Sequence, residues 1–328
     1  MRSKICRRTT LLLALLPVLW VGCKPSRAPQ LRVDPTIRFE LLTPSKATPG
    51  FSLDETKLAL APYTGGEALR LYLKGDAVRR YHVRMAHRLS MKRSGVTELK
   101  TRLLQDMQLQ VRTRRYENGK ALQRMRISGA RLLAEPSQGE LGKKVEDMLN
   151  EATLTYTIDR RGAVHDLKSG PSVSRELTQF MATFRQVVLQ AMPTFPAGKV
   201  DGSGRWSDKQ EHKIQLPSGA SLRVITERTF RVLGERKCAS NEAKNSCLLL
   251  SQRFKVTIDG AIQQLGVSAP VRGAGTGVAA ILFDRDRGTF RRVELASHVT
   301  NRLTLTSGST SRPVEQNVDL RYTLVETR

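Results

Sequence analysis

A two-residue rhythm constrains this chain more than any other feature. Apolar residues alternate with polar ones through Leu69, Leu71 and Leu73; Tyr81, Val83 and Met85; Met107, Leu109 and Val111; Leu154, Tyr156 and Ile158; Leu303 and Leu305; and Val318, Leu320, Tyr322 and Leu324. Successive side chains of a strand point to opposite faces, so this period predicts antiparallel strands with one buried and one wet face. Arg112, Arg114, Arg302 and Thr304 fall at wet positions. About a dozen such runs are separated by short turns, among them Glu117-Asn118-Gly119-Lys120 and Asp159-Arg160-Arg161-Gly162.

With 328 residues, 39% of them hydrophobic, the chain can bury a sizeable core. The expected fold class is mainly β (α+β): an antiparallel sheet or half-barrel of two similar halves, with one longer helix packed on a face. The halves, 66–195 and 196–328, are suggested by a weak internal repeat. LTYTIDRRGAVHDL (154–167) and AAILFDRDRGTFRRVEL (279–295) both run strand, Asp, turn, Gly, strand. Two segments break the rhythm. Residues 141–149 form a short charged helix pattern, and residues 173–192 a longer one ended by Pro193 and Pro196. The longer pattern lines up Leu177, Phe180, Phe184, Val187, Val188 and Met192. That stripe reads either as core packing or as a lid over an apolar cavity, and the second reading makes Leu177, Phe180, Phe184, Val187 and Val188 candidate ligand contacts.

The N-terminus bears on compartment. Arg2, Lys4, Arg7 and Arg8 precede the apolar run LLLALLPVLW (11–20), then Val21, Gly22 and Cys23. A run of about ten residues is roughly half of what spans a bilayer, which fits an export signal better than a membrane helix. Small Gly22 directly before Cys23 resembles the bacterial lipoprotein signal. The resemblance implies a signal peptide over 1–22 and a diacylated cysteine at Cys23, firmly held by buried acyl chains. By the same resemblance Lys24 favours the outer membrane, so the expected location is the cell envelope, lipid-anchored and facing the periplasm. Residues 23–65, with Pro25, Pro29, Pro35, Pro44, Pro49 and Pro62, read as a Pro-rich tether and lead-in with one short strand near 37–42, and residues 66–328 as the β domain.

Cysteine use agrees with export. Cys6 lies in the signal and Cys23 is the lipid site, which leaves Cys238 and Cys247 to pair across a polar loop between two strand-like runs. A metal site competes poorly, because the spacing is not CxxC and no histidine is near.

The formal net charge is +25, from 38 Arg and 17 Lys against 30 acidic residues. Without the four basic signal residues it is still +21. An exported chain with arginines spread along strands and only Trp206 left of its tryptophans is not built to bind nucleic acid. Anionic lipid headgroups or envelope polysaccharide are the expected counterparts, with solubility of a wet sheet face as the alternative.

Catalytic patterns are sparse. His82 and His87, five apart on one strand, face opposite ways; His165 and Asp166 are adjacent and diverge; neither HExxH nor GxSxG occurs. Gly273-Ala274-Gly275-Thr276-Gly277 lacks the Lys-Ser/Thr ending of a phosphate loop and reads as a flexible lead into a hairpin. Asp284, Asp286 and Gly288 read as a tight turn rather than a calcium loop. The expectation is a protein without catalysis, cofactor or metal; a hydrolase would require His165, Asp166 or His298 to meet a nucleophile.

Three stretches carry a family resemblance: Lys74-Gly75-Asp76 through Tyr81; Phe195-Pro196 through Val200, Gly204 and Trp206; and Phe283-Asp284 to Gly288. In this order they resemble a family of β-rich bacterial envelope lipoproteins. The broader plan of lipid anchor, about eleven strands and a helix across the sheet is similar to the half-barrel of lipoprotein carriers and lipid-binding lipoproteins. That similarity implies a membrane-anchored protein able to bind a lipid or another hydrophobic ligand, or else a structural partner at the outer membrane.

Overall fold

The computed structural model describes residues 60–73, 75–93, 96–135, 140–170, 190–215, 221–238, 246–264, 267–307 and 310–327. In chain order the elements are β1 (Val78–Arg93), β2 (Val96–Glu117), β3 (Lys120–Glu135), α1 (Glu140–Asn150), β4 (Thr153–Asp159), β5 (Val164–Ser169), β6 (Arg205–Gln215), β7 (Ser221–Lys237), β8 (Ser246–Gln264), β9 (Val267–Asp284), β10 (Thr289–Ser307) and β11 (Thr310–Thr327). All strands join one antiparallel sheet in the order β5-β4-β3-β2-β1-β11-β10-β9-β8-β7-β6. The first and last strands pair in its middle, Val83 opposite Leu324 and Met85 opposite Tyr322. The chain therefore meanders outward along one wing, crosses to the far edge, and meanders back.

The sheet is curled, and the backbone shows it. Leu71 donates its N–H to Arg160 O (2.7 Å), in the β4–β5 turn, and the next residue, Tyr72, donates to Gly288 O (3.0 Å), in the β9–β10 turn. Strands β4 and β9 are six spacings apart, about 29 Å on a flat sheet. Adjacent residues reach both turns only if the wings bend toward each other. The segment 60–73 lies across this end of the sheet, called here the lower end, where β1 begins and the β2–β3, β4–β5 and β9–β10 turns sit. Its first contact is the bridge Ala61–Glu235, where a Cβ on Gly234 would lie 2.7 Å from Ala61 O, so only glycine allows that approach. The alternation at Leu69, Leu71 and Leu73 predicts a strand. All three are buried, but residues 68–73 form none, because their bonds go to turns rather than to a neighbouring strand.

One core fills the inner face of both wings, from Tyr156 and Ile158 on β4 through Val83, Met107 and Tyr322 to Ile281 and Leu250 on β9 and β8. Burial pushes the hydroxyl pKa of Tyr81, Tyr156 and Tyr322 up. At the lower end the motif residues converge. Phe195 packs on Phe283 (centroids 4.8 Å) and Trp206 (6.2 Å), Trp206 stacks on Phe230 (5.0 Å), and Phe283 meets Phe290 (5.6 Å). A second apolar cluster, with Leu222, Val271, Leu303 and Val314, occupies the opposite, upper end. The described helices are α1, packed by Leu149 into the core, and the turn at 190–191; the remainder of the 173–192 pattern lies outside the described residues.

The glycines of 273–277 sit within β9, not ahead of a hairpin. A Cβ on Gly277 would lie 2.1 Å from Phe254 Cζ, so the ring of the neighbouring strand fills the place of the missing side chain.

Cys238 and Cys247 are bonded, joining the end of β7 to the start of β8 with Cα atoms 4.9 Å apart. Closing a loop of this length contributes about 2–3 kcal/mol in the chain-entropy model. The Cys238→Ser/Cys247→Ser chain is therefore expected to lose that amount in urea denaturation under non-reducing conditions, and an unchanged midpoint would show that the ring contributes nothing.

Candidate functional site

Strand register sorts the inner face into levels. Between the lower aromatic cluster and the upper apolar cluster, the inward positions turn polar: Gln105 on β2, His87 on β1, Gln316 on β11, Ser297 and Asn301 on β10, Gln252 on β8, Thr226 and Arg228 on β7, all buried. A buried polar group without a partner costs free energy, so each of these needs an explanation.

Arg228 has one. Its guanidinium is fully buried and forms a fork with Asp208 on β6: Nε donates to Oδ1 at 2.7 Å, and Nη2 contacts Oδ2. Nη1 donates to Met192 O (2.8 Å) and Nη2 also to Thr194 Oγ1 (2.9 Å). Trp206 Nε1 donates to Thr194 O (2.9 Å), Gln210 Nε2 to Thr194 Oγ1 (3.0 Å) and Gln252 Nε2 to Gln190 O (2.8 Å). The same 190–197 segment is gripped from the other wing. Phe195 N donates to Arg161 O (2.7 Å) and Arg161 Nε returns a bond to Phe195 O (2.8 Å), while from the crossing segment 60–73 Arg70 Nη1 donates to Pro196 O (2.8 Å). It is a strap between the wings, with Arg228 as its deepest fastening.

Other groups of the belt keep free valence. Gln105 Oε1, Thr226 Oγ1, Gln252 Oε1 and Asn301 Oδ1 are buried and find no hydrogen-bond partner among the described residues. Two of these amides are oriented by their own donors, Gln252 Nε2 to Gln190 O and Asn301 Nδ2 to Gln316 Oε1 (3.2 Å), and Asn301 Oδ1 lies over Gly273 on β9, 2.2 Å from where a Cβ there would stand. Among the described residues the three amide oxygens lack a donor, and the Thr226 hydroxyl lacks a partner of either kind. His87, flanked across the strands by Leu103, Leu320 and the diagonal Tyr322, is desolvated, which lowers its pKa to about 4.

The sequence-derived candidates fall as follows. Cys23 and the stripe Leu177, Phe180, Phe184, Val187 and Val188 lie outside the described residues. His82 is on the outer face, bonded to Asp106 Oδ1 (2.8 Å), while His87 points inward. His298 pairs with Asp319 on the outer face of β10–β11 (2.7 Å), six strands from His165 and Asp166 on β5, so the structure does not bring these three together. Asp284 is buried and accepts Arg287 N (2.9 Å) and Arg291 Nε (3.0 Å). It lies beside Cys238 and Cys247, but both sulfurs are spent in the disulfide, so the trio presents no thiolate ligands. Sequence reading missed Arg228, Gln252 and Gln105. A signal existed for Arg228: it stands at an inward register position of β7, between Val224, Thr226, Phe230 and Val232.

Two outcomes follow. Arg228→Met strands Asp208 beside an apolar side chain and is expected to cost about 3–5 kcal/mol, with Arg228→Met/Asp208→Leu less damaging than the single change; equal losses in urea denaturation would contradict the coupling. His87 has a lowered folded-state pKa, so the unfolded chain takes its proton first. Stability is unaffected by His87 above about pH 6.5 and falls by about 3 kcal/mol as pH drops toward 4. His87→Gln should flatten that part of the stability–pH curve, measured by unfolding at pH values across the window.

No family model matches the chain, and no curated protein matches it. Among solved structures it is similar to lipovitellin, titled for its lipid–protein interactions, at 12% identity and a TM-score of 0.41, over 78% of this chain and 26% of that one. This chain therefore spans about a quarter of lipovitellin's length. It also matches neisserial surface protein A (NspA) at 8% identity and a TM-score of 0.17, over 76% of this chain and 99% of that one.

Proposed function

We propose that this chain is a membrane-anchored envelope lipoprotein that holds an amphipathic ligand against the inner face of its curled sheet and catalyses no reaction. The observation that supports this most is the belt of buried polar groups, the amide oxygens of Gln105, Gln252 and Asn301 and the hydroxyl of Thr226, which find no partner among the described residues and are set between two apolar clusters. A ligand with an apolar body and hydroxyl or amide N–H donors satisfies both parts of that surface, whereas a purely hydrocarbon ligand leaves the acceptors orphaned. The anchor rests on Gly22-Cys23 following a basic and then apolar N-terminus, which also supports envelope location with the β domain in the periplasm.

Mass spectrometry of organic extracts from protein purified without delipidation is expected to find a stoichiometric amphiphile bearing hydrogen-bond donors. It should be depleted in Gln252→Leu/Asn301→Leu. A protein that carries nothing and retains full stability would overturn the ligand reading. Acyl labelling tests the anchor separately, with label expected on the native chain and absent from Cys23→Ala; a native chain without label would refute lipidation.

A further inference from the structure

We propose that the outer face of β1–β4 at the lower end is a docking surface for an anionic lipid bilayer. Register places Arg112 on β2 directly opposite Arg124 on β3, Arg126 opposite Gln110, Arg80 beyond Gln110 on β1, and Lys168 beyond Thr155 on β5. Like charges facing each other across a ladder destabilise a sheet, so folding alone gives no reason for this arrangement. Acids do lie on this wing: Asp76 reaches Arg112 at 3.3 Å between two exposed side chains, Asp106 takes Arg84 (3.2 Å) and His82 (2.8 Å), and Glu117 pairs with Arg115. Within the patch, however, Arg80 faces Gln110, Arg124 faces Arg112 and Thr155, and Arg126 faces Gln110 and Thr153. Some outer cations on the other strands are matched by acids, Lys209 with Glu227 (2.9 Å) and Arg223 with Glu211 (2.7 Å).

A second observation selects the partner. Three large apolar side chains are exposed among the described residues, Tyr72 (56%), Val78 (43%) and Leu122 (41%), and all stand at the lower end. Val78 lies opposite Arg112, and Leu122 is two residues from Arg124 on the same face. Arg205 faces Arg231 on the other wing, but no exposed large apolar residue accompanies that pair. Cations that reach headgroups, interleaved with apolar tips that enter the acyl boundary, match an anionic bilayer; a soluble polysaccharide offers nothing to Val78 and Leu122. The N-terminal segment also arrives at this end, through 60–73. The proposal leans on the anchored-lipoprotein reading for the presence of a membrane, and the surface itself is independent of acylation.

The test is sedimentation of the Cys23→Ala chain with vesicles of phosphatidylcholine and phosphatidylglycerol in equal parts, against phosphatidylcholine alone. Binding is expected only to the anionic vesicles. Each arginine at an anionic leaflet multiplies partitioning roughly five-fold, so Arg112→Ser/Arg124→Ser/Arg126→Ser should weaken it roughly a hundred-fold. A control of equal charge loss, Arg223→Ser/Arg253→Ser/Arg272→Ser, should weaken it less than about ten-fold. Val78→Ser/Leu122→Ser should remove the part of binding that survives high salt. Circular dichroism and thermal unfolding verify that each variant folds. Absence of binding, equal loss in the two triple variants, or capture by heparin without capture by vesicles would overturn the proposal. Failure of lipidation shows as missing acyl label on the native chain and leaves these results unaffected.

Discussion

A guanidinium withdrawn from water organises much of this molecule. Arg228 is buried against Asp208, and donors of its guanidinium go to Met192 O and Thr194 Oγ1 on a segment that the opposite wing also holds through Arg161 and the crossing segment 60–73 through Arg70. A curled eleven-stranded sheet whose edge strands are consecutive in the chain needs something to define how far it bends. The strap does so from inside, at a place where the fork geometry of arginine tolerates little change. The aromatic cluster around Phe195 is built on that same strap, so the lower end of the core depends on the polar fastening above it.

Much of the sheet was legible in the chain because strands with one wet face leave a clear two-residue period, and the short helix at 140–150 and the pairing of Cys238 with Cys247 left local signals too. What was not legible is non-local. Leu69, Leu71 and Leu73 alternate as a strand does, yet they cross the sheet's end, which only the distant turns at Arg160 and Gly288 reveal. Gly273, Gly275 and Gly277 read locally as a loop; in the folded chain Phe254 from the neighbouring strand covers Gly277, and a loop becomes a strand. Arg228 broke the pattern of its own strand, but its partner Asp208 is twenty residues away and register alone joins them.

The described inner face is not uniformly apolar. The expected ligand contacts along 177–188 fall outside the described residues, and the inner face that is described is zoned: aromatic below, acceptor-rich in the middle, aliphatic above. Basic charge is zoned as well. On the β6–β7 part of the outer face Lys209 and Arg223 meet acids although Arg205 faces Arg231, while Arg80, Arg112, Arg124 and Arg126 gather on the other wing near Val78 and Leu122. A large positive net charge thus separates into a mixed-charge, solubilising part and a directed part.

The central claim is that the buried acceptors of the inner face serve a bound amphiphile. An experimental density map of protein purified without delipidation tests it most directly. Density from a non-protein molecule within hydrogen-bonding distance of Gln252 Oε1 or Asn301 Oδ1 is the predicted result. An inner face in which the chain's own donors satisfy Gln105, Thr226, Gln252 and Asn301, with no other molecule present, would contradict it.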